Sequence, residues 1–290
     1  MNDLISIVIP TFNRSKFLER AIDSIFSQTY KNWELIVVDN SSTDDTRDML
    51  KKFSGDKLSV FTVNNHGVIG YSRNIGIKKA KGRFIAFLDS DDWWTEDKLS
   101  RVIDALHKYR PDVIYHDCKI VSQNASFTSN CRRLSKNMLK DLVVNGNALI
   151  TSSVVVTKTS LLEVGSFSEK SEISGWEDYH LWLRLAKSSC EFYKIDKNCG
   201  FYWQGDDNFD SPERALENLI KIENHLKDEY TSITNRYYVW WINYTKGRAS
   251  LKDNNFKIAK EAFLKVIINE APLLSKLKSL YWRLHILFRS

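Results

Sequence analysis

The sequence predicts an α/β protein built on a mostly parallel central sheet and followed by a helical extension. Three observations carry this expectation. Through residue 118, short apolar runs alternate with helical patterns, the signature of βαβ units. The run Phe84-Ile-Ala-Phe-Leu88 is apolar without a period, as in a strand buried on both faces, and it stops in Asp89, Asp91 and Asp92. From Ser211 onward the pattern becomes helix after helix.

The expected strands lie at 5–9, 34–39, 58–63, 84–88 and 113–115. Between the first two, Leu18, Ala21, Ile22, Ile25 and Phe26 fall on one face of a helix. A second helix, 95–109, buries Leu99, Val102, Ile103 and Leu106. Residues 119–147 lose regularity and read as a long loop rich in Ser, Asn and basic residues. Order returns at 152–157. Ser174-Gly-Trp-Glu-Asp178 then opens a helix that places Tyr179, Trp182, Leu183 and Ala186 on one face and Glu177 and Asp178 in its first turn. A hairpin-like pair, 191–195 and 200–203, closes this part. Ser211-Pro212-Glu213 is a helix start with an N-cap, a proline at the first position and an early acid. Further helices are expected at 231–246, 255–269 and 272–288, without a repeating period.

At 290 residues the chain can bury a large core. Its 27% charged and 43% hydrophobic residues exclude disordered and fibrous classes. The expected division is a domain at 1–210, with halves at about 1–118 and 119–210, and a helical region at 211–290. No stretch is long enough to span a membrane, and Met1-Asn-Asp-Leu leads into a strand without a basic n-region, so the expected location is cytoplasmic. Cys118, Cys131, Cys190 and Cys199 show no C-x-x-C pairing and read as free thiols; Cys190 and Cys199 face each other only if the hairpin forms. A net charge of +6, with no basic stripe among aromatics, gives no case for nucleic acid.

Open α/β sheets bind ligands at the carboxyl ends of their strands, which is where Asp89 and Asp91 are delivered. Their repulsion is relieved by a divalent cation, and oxygen ligands favour Mg²⁺ or Mn²⁺. The competing reading makes Asp91 and Asp92 the start of the next helix, with Thr95 as its cap. A calcium EF-hand loop fails, because Trp94 and Ser100 stand where glycine and glutamate are required. Pro10-Thr-Phe-Asn-Arg14 carries no glycine fingerprint, and no Walker pattern occurs. The D-x-D follows the fourth strand, not the first, unlike that of aspartyl-nucleophile phosphatases.

Taken in order, Ser6-Ile-Val-Ile-Pro-Thr-Phe-Asn-Arg14, Ser27-Gln-Thr-Tyr30, Trp33-Glu-Leu-Ile-Val-Val-Asp39, Ser72-Arg-Asn-Ile-Gly76, Asp89-Ser-Asp91 and Trp176-Glu-Asp178 resemble glycosyltransferase family 2 over roughly residues 4–205. The resemblance implies a GT-A nucleotide-diphospho-sugar transferase fold and inverting transfer. It also implies that Pro10, Thr11, Phe12 and Asp39 hold the uracil of a UDP-sugar with Arg73 nearby, that Asp89 meets the ribose, and that Asp91 binds the metal. Asp178 is implied as the base and Glu177 as the residue positioning the acceptor. For Asp39 the competing reading is a strand-end acid capping the 41–46 turn; for Glu177 and Asp178 it is service to the helix dipole. Trp176 is expected to stack on an acceptor sugar, and Trp93 and Trp94 to line the donor side or the core. The chain departs from the family at Tyr202-Trp-Gln-Gly-Asp-Asp207, where a Tyr-Arg pattern followed by histidine is usual, so the metal is expected to rest on Asp91, diphosphate and water.

Processive synthases carry Q-x-x-R-W and transmembrane helices, and neither occurs, which favours addition of a single sugar; the resemblance implies a hexose or N-acetylhexosamine, with glucose or galactose the narrower expectation. The implied acceptor is a polyprenyl-diphosphate-linked sugar in O-antigen or capsule (lipopolysaccharide or other surface polysaccharide) biosynthesis. Near the C-terminus, Leu273, Leu274, Leu277, Leu280, Tyr281, Leu284, Leu287 and Phe288 form one helix face, flanked by Lys276, Lys278, Arg283 and Arg289 and interrupted by Trp282 and Ile286. That pattern suits a peripheral position on the cytoplasmic face of the inner membrane or docking on the protein itself. Two rival readings are a non-catalytic glycan- or nucleotide-binding module and a sugar nucleotidyltransferase; the latter needs a glycine-rich N-terminal loop that is absent.

Overall fold

The computed structural model describes residues 3–53, 55–122, 126–129, 131–205 and 211–287. Its contacts gather the chain into one unit of Met1–Arg133 with Leu149–Asp206 and another of Leu134–Ala148 with Asp207–Ser290. The 134–148 segment thus clusters with the helices near the C-terminus, not with residues 119–133 as the sequence reading had it.

In the first unit, β1 (Ile5–Thr11), β2 (Trp33–Asp39), β3 (Leu58–Thr62) and β4 (Phe84–Phe87) run parallel in the order β3-β2-β1-β4. The sheet continues through β8 (Val155–Thr157), β6 (Val113–Val121), β9 (Phe192–Trp203) and the two-residue β5 (Trp93–Trp94), with β7 (Ser126–Ser129) paired to β6. β6 and β9 are parallel to each other, whereas β5, β7 and β8 run against their neighbours. From β1 the chain moves to β2 on one side, and β4 later takes the other side, so the β1–β4 boundary is a topological switch point. Thr11 and Asp39 are register partners at its carboxyl edge.

Helices cover these strands because their apolar stripes match the sheet. α1 (Ser15–Phe26) buries Leu18, Ala21, Ile22 and Ile25 completely; Phe26 remains partly exposed and packs edge-on against Trp33. α2 (Thr46–Leu50) is a single short turn. α3 (Ile69–Lys79) lies so close to β1 that a Cβ on Gly76 would meet Val8 at 2.3 Å. α4 (Lys98–Tyr109) starts three residues later than expected, after Asp97; Thr95 donates to Asp97 and is not the cap.

Two further expectations are corrected. The supposed 191–203 hairpin is the single strand β9, which runs parallel to β6 and absorbs Asp196-Lys-Asn198 as a register shift. Cys190 and Cys199 therefore do not face each other, and all four cysteines are buried free thiols. The supposed loop 119–147 contains the end of β6, β7 and α5 (Met138–Asn145), a helix capped by Asn137. α6 (Lys158–Glu163) and α7 (Glu177–Lys187) complete the first unit.

The second unit contains α5, α8 (Pro212–Glu229), α9 (Thr231–Thr234), α10 (Trp240–Lys252), α11 (Phe256–Ile268) and α12 (Leu273–Leu287). The expected Ser211 cap forms, accepting from the Arg214 N–H. α5 ends at Gly146, whose φ of +80° suits glycine and whose missing side chain makes room for Trp241; the indole donates to Val143 O at 3.0 Å. Ala259, Phe263 and Ile286 form a small core with Tyr244, Leu251, Phe256 and Trp282 packed on it. Phe288 and Arg289, expected on the last helix, lie outside the described residues, as do Asp206 and Asp207.

Candidate active site

At the carboxyl edge of β1 and β2 the chain builds a small polar recess. Asp39 is fully buried; its Oδ1 accepts from Ser42 N at 3.1 Å and Ser42 Oγ at 2.5 Å, while Arg47 Nε approaches Oδ2 at 3.6 Å. Asp39 thus does cap the turn after β2, but with one oxygen. Oδ2 accepts no hydrogen bond, and neither does Thr11 Oγ1 engage a partner, although both atoms are buried. Two buried polar atoms without a hydrogen bond on register partners are costly unless a ligand satisfies them. Beside them, Phe12 is 52% exposed, and Asn13, at φ +50°, ties this loop to the next by accepting from Thr43 N at 2.8 Å. A cavity of about 580 Å³ opens next to Asp39, lined also by Arg47, Phe53, Leu58 and Thr62.

Arg73, on α3, is 3% exposed and joins two parts of the chain distant in sequence. Its Nη2 donates to Asp89 Oδ1 and its Nη1 to Glu177 Oε1, both at 2.7 Å. The two carboxylates hold the guanidinium firmly protonated against its desolvation. Arg73 was expected near the uracil; here both terminal nitrogens are occupied by acids, and it acts as a bridge from β4 to α7. Ser152 Oγ accepts from Asp89 N at 3.0 Å.

The acids after β4 divide their tasks. Arg20 Nη2 donates to Asp91 O at 2.7 Å and lies 3.6 Å over the Trp93 ring, so the loop backbone is pinned while the half-buried Asp91 carboxylate faces Asp89 electrostatically. Burial and the Asp89 charge both push the Asp91 pKa upward. Asp92 is fully buried and accepts from Trp203 N at 2.8 Å, which ties β9 to this loop; burial first, then Asp91 and Asp89, raise its pKa well above the usual carboxylate range. Since α4 begins only at Lys98, neither Asp91 nor Asp92 starts a helix. Among the described residues no group of three or more His, Cys, Asp or Glu side chains is arranged to hold a metal ion. A pair of mutually repelling carboxylates nevertheless suits a hard divalent cation that takes its other ligands from a phosphate-bearing substrate.

At the start of α7, Gly175 takes φ +93° and donates its N–H to Glu177 Oε2 at 2.9 Å. Glu177 is buried and has both oxygens engaged. Asp178 is half-buried; Tyr179 N donates to its Oδ1 at 2.6 Å and Thr151 Oγ1 to its Oδ2 at 3.1 Å. Desolvation, followed by the Glu177 charge, raises its pKa to about 6. Trp176 does not present a stacking face: it is 4% exposed, its indole donates to Glu172 O at 3.2 Å, and His180 packs edge-on against it. Being the residue just before α7, it turns its ring inward as the helix begins. Trp94 is core, donating to Ser152 O at 2.8 Å, whereas Trp93 stacks on Phe201. Sequence reasoning missed Ser42, Thr151, Ser152 and Arg20, which sit in no motif and are recognisable only from their partners.

Comparisons with known proteins agree with this architecture. The glycosyl transferase family 2 sequence model matches residues 6–168. A UDP-Glc:alpha-D-GlcNAc-diphosphoundecaprenol beta-1,3-glucosyltransferase of Escherichia coli, WfgD, is 34% identical over 201 residues, covering 68% of this chain and 74% of its own. The putative teichuronic acid biosynthesis glycosyltransferase TuaG of Bacillus subtilis is 24% identical over 196 residues, 67% of this chain and 76% of its own. In fold, the chain resembles S. aureus TarS 1-349 in complex with UDP-GlcNAc, with TM-score 0.60, 19% identity and coverage of 91% and 80%. It also resembles the mannosyltransferase PcManGT of Pyrobaculum calidifontis in complex with GDP-Man and Mn²⁺, with TM-score 0.63, 14% identity and coverage of 97% and 80%. The GT-A fold expected from the motifs is therefore present, and with more than half of its length matched by the family model, this chain belongs to glycosyltransferase family 2.

Proposed function

We propose that the chain is a metal-dependent inverting glycosyltransferase that moves one hexose from a UDP-sugar to a hydroxyl of a polyprenyl-diphosphate-linked glycan in surface polysaccharide biosynthesis. Glucose is favoured over galactose as the hexose. The observation that carries this reading is the set of groups at the carboxyl ends of the strands. Thr11 and Asp39 each keep a buried atom without a hydrogen bond, and Arg73 joins Asp89 to Glu177, the neighbour of Asp178. The specificity named for WfgD supports the donor and acceptor class.

Uracil offers an N–H between two carbonyls, which complements the Asp39 carboxylate and the Thr11 hydroxyl, and the exposed Phe12 ring offers apolar cover. Asp89, oriented by Arg73 and Ser152, is placed to accept from ribose hydroxyls. Asp91 would hold Mg²⁺ or Mn²⁺ against the diphosphate, and a bound cation stabilises the charge that develops on departing UDP. Asp178 takes the proton from the acceptor hydroxyl as its oxygen bonds to the anomeric carbon; the bond from that carbon to the UDP oxygen breaks, and the configuration inverts. Glu177 is held in an ion pair by Arg73 at 2.7 Å, which suits it to positioning and not to proton transfer. An acid poised at about 6 is ionised at neutral pH yet basic enough to assist.

Such an acceptor places the work at the cytoplasmic face of the inner membrane, with the protein peripheral to it. Among the described residues no helix is long and apolar enough to cross a membrane. The test is UDP release from UDP-glucose and UDP-galactose, with and without Mn²⁺, in the presence of a GlcNAc-diphospho-lipid. Acceptor-stimulated, chelator-sensitive release with UDP-glucose is expected. UDP binding with no release across these donors would overturn the proposal in favour of a binding module.

A further inference from the structure

α12 presents two opposite faces, and the structure settles which one the protein uses for itself. With 3.6 residues per turn, Ser275, Ser279, Trp282 and Ile286 share one side of the helix. Ile286 and Ser279 are buried there, Trp282 packs on the Phe263 cluster, and Arg248 lies 4.5 Å over the Trp282 ring. Trp282 and Ile286, the two residues that broke the polar face in the sequence, are therefore the inward seam. Diametrically opposite, Leu273, Leu274, Leu277, Leu280, Tyr281, Leu284 and Leu287 are 46 to 72% exposed. The stripe cannot turn inward without pulling out the seam that anchors the helix.

The borders of this stripe identify its occupant. Lys276 and Arg283 lie along one edge and Lys278 along the other, and residues 273–290 contain no acid. An apolar face edged on both sides by cations fits the boundary between acyl chains and anionic headgroups. A second copy of the same stripe fits worse, because it would set these cations against their own counterparts. We propose that α12 is a membrane-interface anchor, which inserts the Leu277–Leu284 face into an anionic lipid surface and keeps the helical core on its inward side. The lipid-linked acceptor reading supplies its purpose, while the anchor itself is tested without any sugar.

The full chain would be sedimented with vesicles of phosphatidylcholine alone and of phosphatidylcholine with about one-third phosphatidylglycerol. Gel filtration would be run in parallel. The expected result is a monomer that binds the anionic vesicles at least about tenfold more strongly than the neutral ones. Leu277→Glu with Leu284→Glu should abolish binding, and Lys276→Gln with Arg283→Gln should remove the anionic preference. The two leucines point away from the seam and the two cations lie at the edge of the stripe, so circular dichroism and UDP binding should match the parent. Three outcomes overturn the proposal: no vesicle binding, vesicle binding unmoved by the leucine changes, or a dimer that those changes dissolve. Vesicle binding with inactive protein would count against the transferase reading and leave the anchor standing.

Discussion

The donor edge and the acceptor acid of this site are held in contrasting ways. Asp39, Arg73, Asp89 and Glu177 are locked: register fixes Asp39, two ion pairs at 2.7 Å fix Arg73, and Glu177 is bound through both oxygens. Asp178, one residue beyond Glu177, also has both oxygens hydrogen-bonded, by the Tyr179 N–H and the Thr151 hydroxyl among others, but desolvation holds its pKa at about 6. Neighbouring carboxylates thus receive opposite assignments: a buried, paired acid is a strut, and a half-buried acid raised by desolvation is a proton acceptor. Substitutions on the locked side should move stability and UDP affinity together. Those on the acid should move rate and pH dependence alone.

The largest effect on rate belongs to Asp178→Asn, expected to lower kcat roughly a hundred- to ten-thousand-fold while melting temperature and UDP affinity stay near those of the parent. Full activity, or loss of UDP binding, would erase the distinction between the two acids. Arg73→Met tests the other side. It leaves the buried Glu177 and the partly exposed Asp89 without their shared cation, which costs about 3–5 kcal/mol and should be read in a denaturant titration alongside weaker UDP binding. Arg73→Lys should recover only part of this, since an ammonium cannot fork between two carboxylates. Unchanged stability with lost affinity would make Arg73 a substrate contact and not a bridge.

How this contrast arises was only partly legible in the sequence. β1, β2 and β4 could be read because strands covered on both faces are written as unbroken apolar runs, and the acids that follow them mark the carboxyl edge. The first turn of α7 was legible for a similar local reason. The Arg73–Glu177 pair was not, because it spans 104 positions and no local pattern encodes it. Nor was β9: Asp196-Lys-Asn198 has the composition of a hairpin turn, and only the partner strand reveals a register shift. Trp176 misled because it adjoins the acids, yet the residue before a helix start is free to turn its ring inward. α12 shows the limit in reverse, since α1 and α12 are both amphipathic and only packing decides which apolar face is covered.

A smaller effect is expected from Gly175→Ala. An L side chain at φ +93° is strained by about 1–2 kcal/mol, and relaxing it withdraws the N–H from Glu177. Transfer should slow with little change in UDP affinity, because the disturbance enters at α7; weakened UDP binding would show that the Arg73 bridge carries it across to the donor edge.

The finest test is Thr151→Val, which removes one hydrogen bond to ionised Asp178 and leaves volume nearly constant. Because the base works only when ionised, kcat/KM should rise with pH through about 6 in the parent. The Thr151 hydroxyl favours the charged form, so its loss pushes the Asp178 pKa up and the acid limb of the profile to higher pH. At pH well above the limb the two proteins should converge, and UDP affinity should be equal throughout. A uniform loss at every pH would mean that Thr151 only positions the carboxylate. A limb that stays in place would remove Asp178 as the titrating group and return Glu177 to consideration as the base.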